Sequence, residues 1–217
     1  MTKLTALRDA VALIPDGAVL MIGGFMGVGS PHRLIDELVR QGKKDLTIIA
    51  NDTARKGVDI GKLISAGAVK RLVASHIGLN PETQQQMIEG KIEVELVPQG
   101  TLAERIRAGG TGLGGVITPT GVGTVVAEGK QTIEIDGETF LVEKPLKADF
   151  ALVAAWRADY YGNLQYELTA RNFNPAMALA GATVIAEANE IVPVGMIPPD
   201  QVETVSVIVD HLVAREA

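Results

Sequence analysis

The stretch "AVLMIGGFMGVGSPHRLIDELV", residues 18–39, runs an apolar segment, a glycine-rich turn and an amphipathic segment in direct succession. Residues 18–22 contain no polar member, which suits a strand buried on both faces of a parallel sheet. Beyond the turn, Leu34, Ile35, Leu38 and Val39 recur at helical spacing, and Gly42 stands where that helix should stop. Ser30 followed by Pro31 is a helix start, the serine as cap and the proline in the first position. A strand, a bare turn and a capped helix together present backbone N–H groups and a positive dipole end, a seat for an anion or a ligand's polar edge. Gly23, Gly24, Gly27 and Gly29 would let such a ligand approach closely, or would simply serve a tight turn that needs positive φ. The pattern alone leaves both open.

The same alternation continues along the chain. Residues 46–50, 150–155 and 182–186 are further apolar runs of strand length, and "KIEVELV" (91–97) alternates Ile92, Val94 and Leu96 as a strand nearer an edge. Asn80-Pro81 repeats the helix start, with Met87 and Ile88 expected inward and Gly90 as the stop, and "TLAERIRAGG" (101–110) reads as a third helix. Asp136-Gly137 between strand-like segments signals a two-residue hairpin, so an antiparallel excursion around 116–146 interrupts the pattern. Three prolines precede a last strand-like run near the C-terminus. The expected fold is α/β: an open, mostly parallel sheet flanked by helices, with an antiparallel hairpin insertion, in one domain over residues 1–217.

Composition narrows the function classes. The formal charge is −6 and no run of five like charges occurs, so nucleic acid is not an expected partner. There is no cysteine, which removes thiolate chemistry, disulfides and Cys-ligated metals. His32, His76 and His211 lack metal-ligand spacing, and no metal is expected. No segment has the length of a membrane span or the apolar stretch of a signal peptide, so a cytoplasmic protein is expected. The serines lack the G-x-S-x-G elbow, and no Walker loop occurs. A G-x-G-x-x-G spacing does appear at Gly110, Gly112 and Gly115. It follows a helix and opens none, and is read as a chance match to the dinucleotide fingerprint.

Several polar residues stand where strands give way to loops. Asn51 and Asp52 end the second apolar run, placed either to touch a ligand or to make an Asx turn. Gln99, after Pro98, either caps a helix or offers its amide N–H to a ligand oxygen. Arg171, Asn172 and Asn174 surround Phe173 ahead of a helix, to bind an anion or to hold a loop.

The motifs "DGAVLMIGGFMGVGSP", "NDTA", "SHIGLNPET", "VPQGTLAERIRAGG", "TPTGVGT", "ADYYGNL" and "ARNFNP" together resemble the α subunit of class I coenzyme A transferases of the acetate/acetoacetate type, from residue 16 to about 175. The resemblance implies the fold shared with sugar-phosphate isomerases. It also implies transfer of CoA between a short-chain acyl-CoA such as acetyl-CoA and an acid such as acetoacetate, by way of a glutamyl-CoA thioester. In the family that glutamate lies in a Ser-Glu-Asn-Gly motif, which is absent here, so it is expected on a β subunit within an α2β2 assembly. By the same resemblance Gly23, Gly24, Phe25, Met26, Gly27, Val28 and Gly29 bind CoA, Gln99 supports the oxyanion, and Asn51 falls near the acyl pocket. CoA is then substrate, with no cofactor expected. A non-catalytic CoA-binding or sensor module of the same fold is the alternative, and a nucleotide-dependent dehydrogenase is a weaker rival for want of the fingerprint after the first strand.

Overall fold

The computed structural model describes residues 3–215. Its strands are β1 (Val19–Ile22), β2 (Leu46–Asp52), β3 (Val69–His76), β4 (Glu93–Leu96), β5 (Val116–Thr118), β6 (Thr132–Ile135), β7 (Glu138–Glu143), β8 (Ala148–Asp159), β9 (Leu164–Gln165), β10 (Gly181–Val192) and β11 (His211–Ala214). The α-helices are α1 (Leu7–Ala12), α2 (His32–Arg40), α3 (Ile60–Ser65), α4 (Pro81–Ile88), α5 (Gln99–Thr111) and α6 (Asn174–Ala180).

The main sheet runs β11-β10-β8-β1-β2-β3-β4, with every pairing on that path parallel and β9 added antiparallel to β8. Alternate side chains feed two cores, as a sheet covered on both faces requires. Leu20, Ile22, Ile48, Leu72 and Leu152 pack with Leu34, Leu38 and Leu63 from α2 and α3. Met21, Ile49, Val73 and Val153 pack on the other face with Leu102, Ile106 and Met177 from α5 and α6. From β1 the chain builds outward to β2, β3 and β4, while β8, β10 and β11 extend the opposite side. β1 and β8 therefore flank the point where strand order reverses, and the crevice beyond their carboxyl ends is where open α/β sheets bind ligands. The glycine turn leaves β1 at that point.

The antiparallel excursion is a separate sheet, β5-β7-β6. Asp136 and Gly137 form its tight turn with φ of 53° and 81°, the positive pair that a type I′ hairpin needs. Arg105 of α5 anchors it by donating to the Lys144 carbonyl at 2.8 Å, beside the buried Glu143.

Several local expectations need correction. Ser30 does not cap α2: its hydroxyl donates to Asp59 Oδ2 at 2.8 Å, and Pro31 takes the N-cap position without a side-chain bond. Asn80 does cap α4, accepting from the N–H groups of Glu82 and Thr83. Ile88 is 81% exposed while Met87 packs against the core, because the helix ends as its stripe turns outward. Leu96 is likewise half-exposed on the edge strand. The third helix begins at Gln99 rather than Thr101, and β3, to which sequence assigned no strand, lies between β2 and β4. The C-terminal run is a strand only over β11, after a single turn of 3-10 helix at Ser206–Ile208. Gly110 lies inside α5, where a Cβ would stand 2.6 Å from Leu179 Cβ, and Gly112 is the left-handed C-cap. The fingerprint spacing is thus a helix-packing and helix-ending feature.

Candidate active site

The turn after β1 is a miniature hairpin. Phe25 N–H donates to the Val28 carbonyl at 3.0 Å and Val28 N–H returns the bond at 2.9 Å, with Met26 (φ 52°) and Gly27 (φ 86°) at the tip. Its other N–H groups are largely used within the protein. Gly23 donates to the Leu152 carbonyl at 2.9 Å, Gly24 to Asn172 Oδ1 at 3.1 Å, and Met26 to Asp52 Oδ2 at 2.9 Å. The expectation of a row of free N–H groups is therefore wrong, because the loop spends its donors on holding its own shape. What it offers outward is apolar: Phe25 is 44% exposed and Val28 50%.

Its glycines are required by neighbouring protein. A Cβ on Gly24 (φ +124°) would stand 2.0 Å from Ser30 Oγ, and one on Gly29 (φ +72°) 2.3 Å from the Ala170 carbonyl oxygen. The segment before α6 lies directly against the loop. Asn172 Nδ2 donates to the Val28 carbonyl at 2.9 Å, and Asn174 Nδ2 to the carbonyls of Gly29 and Ala170, each at 2.9 Å. Asn172 and Asn174 thus hold the loop, one of the two alternatives left open by sequence. Arg171 pairs with Glu203 instead.

A chain of side-chain bonds crosses the strand ends. Gln99 Nε2 donates to Asn51 Oδ1 at 2.7 Å, and Asn51 Nδ2 donates to Asp52 Oδ2 at 2.7 Å. That same Asp52 oxygen accepts Met26 N–H, while Asp52 Oδ1 accepts Ala54 N–H at 2.7 Å. Ser75, at the end of β3, sets its hydroxyl 2.9 Å from Asn51 Oδ1. Ends of β2 and β3, the start of α5 and the glycine loop are thereby joined. Asn51 and Asp52 are 2% and 5% exposed, so both lie beneath the surface, and Gln99 is the member of the chain that reaches it. Gln99 does not cap α5, whose N-cap Pro98 has no side-chain bond.

Gln99, Phe25, Ala103, Asn172, Phe173 and Ala176 line a cavity of about 310 Å³. Phe25 and Asn172 also wall a second cavity of about 670 Å³, bounded by Met26, Val28, Leu168 and Arg171. The smaller cavity is chiefly apolar with amide groups at its wall, and its lining holds no carboxylate, hydroxyl or thiol. It can hold an acyl group and donate hydrogen bonds to it, but it has no nucleophile of its own.

One ionisable group under the loop is perturbed. Burial pushes the Asp59 carboxyl above the ordinary carboxylate range, with the charge of Asp52 adding to the push against the hydrogen bond from Ser30. Asp59 Oδ1 is buried without a partner. Sequence reasoning gave neither Asp59 nor Ser75 a role: Asp59 carries no motif, and Ser75, which opens the motif "SHIGLNPET", reaches the site only through tertiary contact. His32 approaches the Gly27 carbonyl through Nε2 at 2.9 Å, and among the described residues no group of three or more metal-capable side chains gathers. No helix of the described residues is long and apolar enough to cross a membrane.

Comparison with known proteins shows the family. The family model for coenzyme A transferase matches residues 4–215. The acetate CoA-transferase subunit alpha of Escherichia coli is 54% identical over 215 residues, covering 99% of this chain and 98% of that one. The acetoacetyl-CoA:acetate/butyrate CoA transferase alpha subunit of Clostridium acetobutylicum is 46% identical, covering 100% and 99%. Among solved structures, an acyl-CoA transferase from Escherichia coli in a thioester complex with CoA superposes with a TM-score of 0.88 at 24% identity. It covers 99% of this chain and 47% of that longer one, a likeness of fold.

Proposed function

We propose, since this chain belongs to the coenzyme A transferase family, that it is the α subunit of a heteromeric enzyme moving CoA between a short-chain acyl-CoA and a short-chain or 3-oxo carboxylic acid. Acetyl-CoA and acetoacetate are the proposed pair, in keeping with the names of relatives matched over nearly their whole length. A non-catalytic sensor module has no observation in its favour.

The observation that carries the mechanism is the pairing of an amide donor with an apolar cavity that lacks a nucleophile. Transfer through a covalent intermediate needs a carboxylate to attack the thioester carbon. We place that carboxylate, a glutamate, on a β subunit docked against this end of the sheet. Its attack gives a tetrahedral centre with negative charge on the acyl oxygen. Collapse expels the CoA thiolate and leaves a mixed anhydride. The thiolate then attacks the glutamyl carbonyl, forming glutamyl-CoA thioester and releasing the first acid as its carboxylate. The second acid reverses the sequence and leaves as the new acyl-CoA.

Within this scheme Gln99 donates its remaining Nε2–H to the developing oxyanion, where a preorganised donor acts more strongly than in water. The loop from Gly23 to Gly29 offers Phe25, Met26 and Val28 as an apolar bank for CoA, and the cavity shields the anhydride from hydrolysis. Asn51 acts from below, through Gln99. The assembly proposed is α2β2, on the family resemblance. The test is reconstitution: the purified chain alone should give no transfer from acetyl-CoA to acetoacetate, and mixing with its β chain should restore it. Robust turnover by this chain alone would refute the division of labour.

A further inference from the structure

We propose that Asp52 fixes the direction of the Gln99 amide through Asn51, making Asp52 and Asn51 positioning residues for the donor at the cavity wall. The proposal rests on the role given to Gln99 above and adds what controls it. An amide side chain can present either its oxygen or its NH2 to a neighbour, and only the neighbours decide which.

Asp52 makes the decision here. All three groups bonded to its carboxylate are N–H donors: Met26 N and Asn51 Nδ2 on Oδ2, Ala54 N on Oδ1. Two of them are backbone groups that cannot accept. A carboxylate accepts only, so Asn51 must turn its NH2 toward Asp52 and its oxygen toward Gln99. Asn51 is 2% exposed, so it has no water to satisfy a reversed amide. Ser75 shares its single hydroxyl proton between the Asn51 backbone carbonyl at 2.8 Å and Asn51 Oδ1 at 2.9 Å, so it is a weaker constraint than the acceptor-only carboxylate of Asp52. Gln99, facing an oxygen, must bring its nitrogen to Asn51 and keeps the second N–H of that nitrogen unspent. Reversal of Asn51 would reverse Gln99 with it, exchanging nitrogen for oxygen and moving the donor to the other end of the amide. Because Asp52 Oδ2 also accepts Met26 N–H, one oxygen registers the glycine loop and the oxyanion donor against each other.

Three variants test this in the reconstituted enzyme. Asp52→Ala removes the acceptor and should lower kcat toward the Gln99→Ala level, about 10²–10³-fold. Asp52→Asn can place its amide oxygen at the shared position, losing only the Ala54 contact, and should recover at least roughly tenfold of that kcat. Asn51→Ala breaks the relay but leaves the Met26 tether, so kcat should fall with the KM for acyl-CoA little changed. In a Gln99→Ala background Asn51→Ala, which leaves the Met26 tether in place, should not lower kcat further, since residues acting through one group are not additive. Additive losses, or full kcat in Asn51→Ala while Gln99→Ala is impaired, would overturn the relay and leave the Gln99 role standing. Full kcat in Gln99→Ala would instead overturn the functional assignment. A readout independent of activity then still decides the relay. In the 15N-labelled chain, one Gln99 side-chain amide proton should exchange slowly in wild type and Asp52→Asn and quickly in Asn51→Ala and Asp52→Ala. Equal exchange in wild type and Asn51→Ala would refute the proposal even if Asp52→Ala fails to fold.

Discussion

Replacing Gln99 with alanine separates chemistry from structure, because what the side chain holds is known. Its amide is not a helix cap, so the loss of about 1 kcal/mol typical of a removed cap is not incurred. The bond removed is the one to Asn51 Oδ1, and the Ser75 hydroxyl, 2.9 Å away, remains beside that oxygen, its one proton shared with the Asn51 carbonyl at 2.8 Å. The stability cost is then that of one net hydrogen bond, about 0.5–1.5 kcal/mol. The catalytic cost is larger. Loss of one oxyanion donor raises the barrier by about 2.7–4 kcal/mol, roughly 10²–10³ in kcat, while ground-state binding changes little. Steady-state rates at saturating acetoacetate with varied acetyl-CoA, and a thermal midpoint on the same preparation, give both quantities. The expected result is a kcat lowered by that factor, a nearly unchanged KM and a small fall in midpoint. A variant that is clearly less stable yet fully active would refute the role given to Gln99.

The loop glycines should divide by what a side chain would meet. Gly24→Val forces a Cβ against Ser30 and should abolish turnover with a lowered thermal midpoint, whereas Gly27→Ala, with nothing nearer than His32 at 3.8 Å, meets only the strain of positive φ, about 1–2 kcal/mol. Equal loss of midpoint in the two would contradict the packing described. Asp59 should make stability depend on pH. Its folded carboxyl titrates above the ordinary value of 3.8, so its contribution is complete below that value and is lost as pH rises through the raised folded one. Asp59→Asn keeps an acceptor for Ser30 and removes the titration. Its thermal midpoint should therefore fall less than wild type's as pH rises from the ordinary carboxylate value, and parallel curves would contradict the assignment.

Much of the architecture was legible because apolar runs of strand length and glycine-ended helical stripes are local signals. The hairpin at Asp136-Gly137 was legible for the same reason: two positive-φ residues in sequence leave little choice of turn. β3 escaped notice because Lys70, Arg71 and His76 interrupt its apolar run, although Leu72, Val73 and Ala74 are buried between two strands. Ser30 satisfied every sequence rule for a cap, yet its hydroxyl found Asp59, 29 residues away, a competition that no local pattern can express. The site divides likewise. Gln99, Asn51 and the glycine loop carry motifs that the family resemblance could flag. That Asp52 joins the glycine loop to Asn51 through one oxygen, and Gln99 through Asn51, depends on β1, β2, β3 and β4 lying next to one another in that order, which only the folded register supplies.

The central claim is that this chain supplies the oxyanion donor and the cavity while a partner supplies the nucleophile. The reconstituted enzyme, incubated with acetyl-CoA and no acceptor acid, should accumulate glutamyl-CoA thioester. Intact-mass measurement of the separated denatured chains then shows which one carries the covalent CoA. The account requires the adduct on the β chain and an unmodified mass for this chain. A CoA adduct on this chain would contradict it.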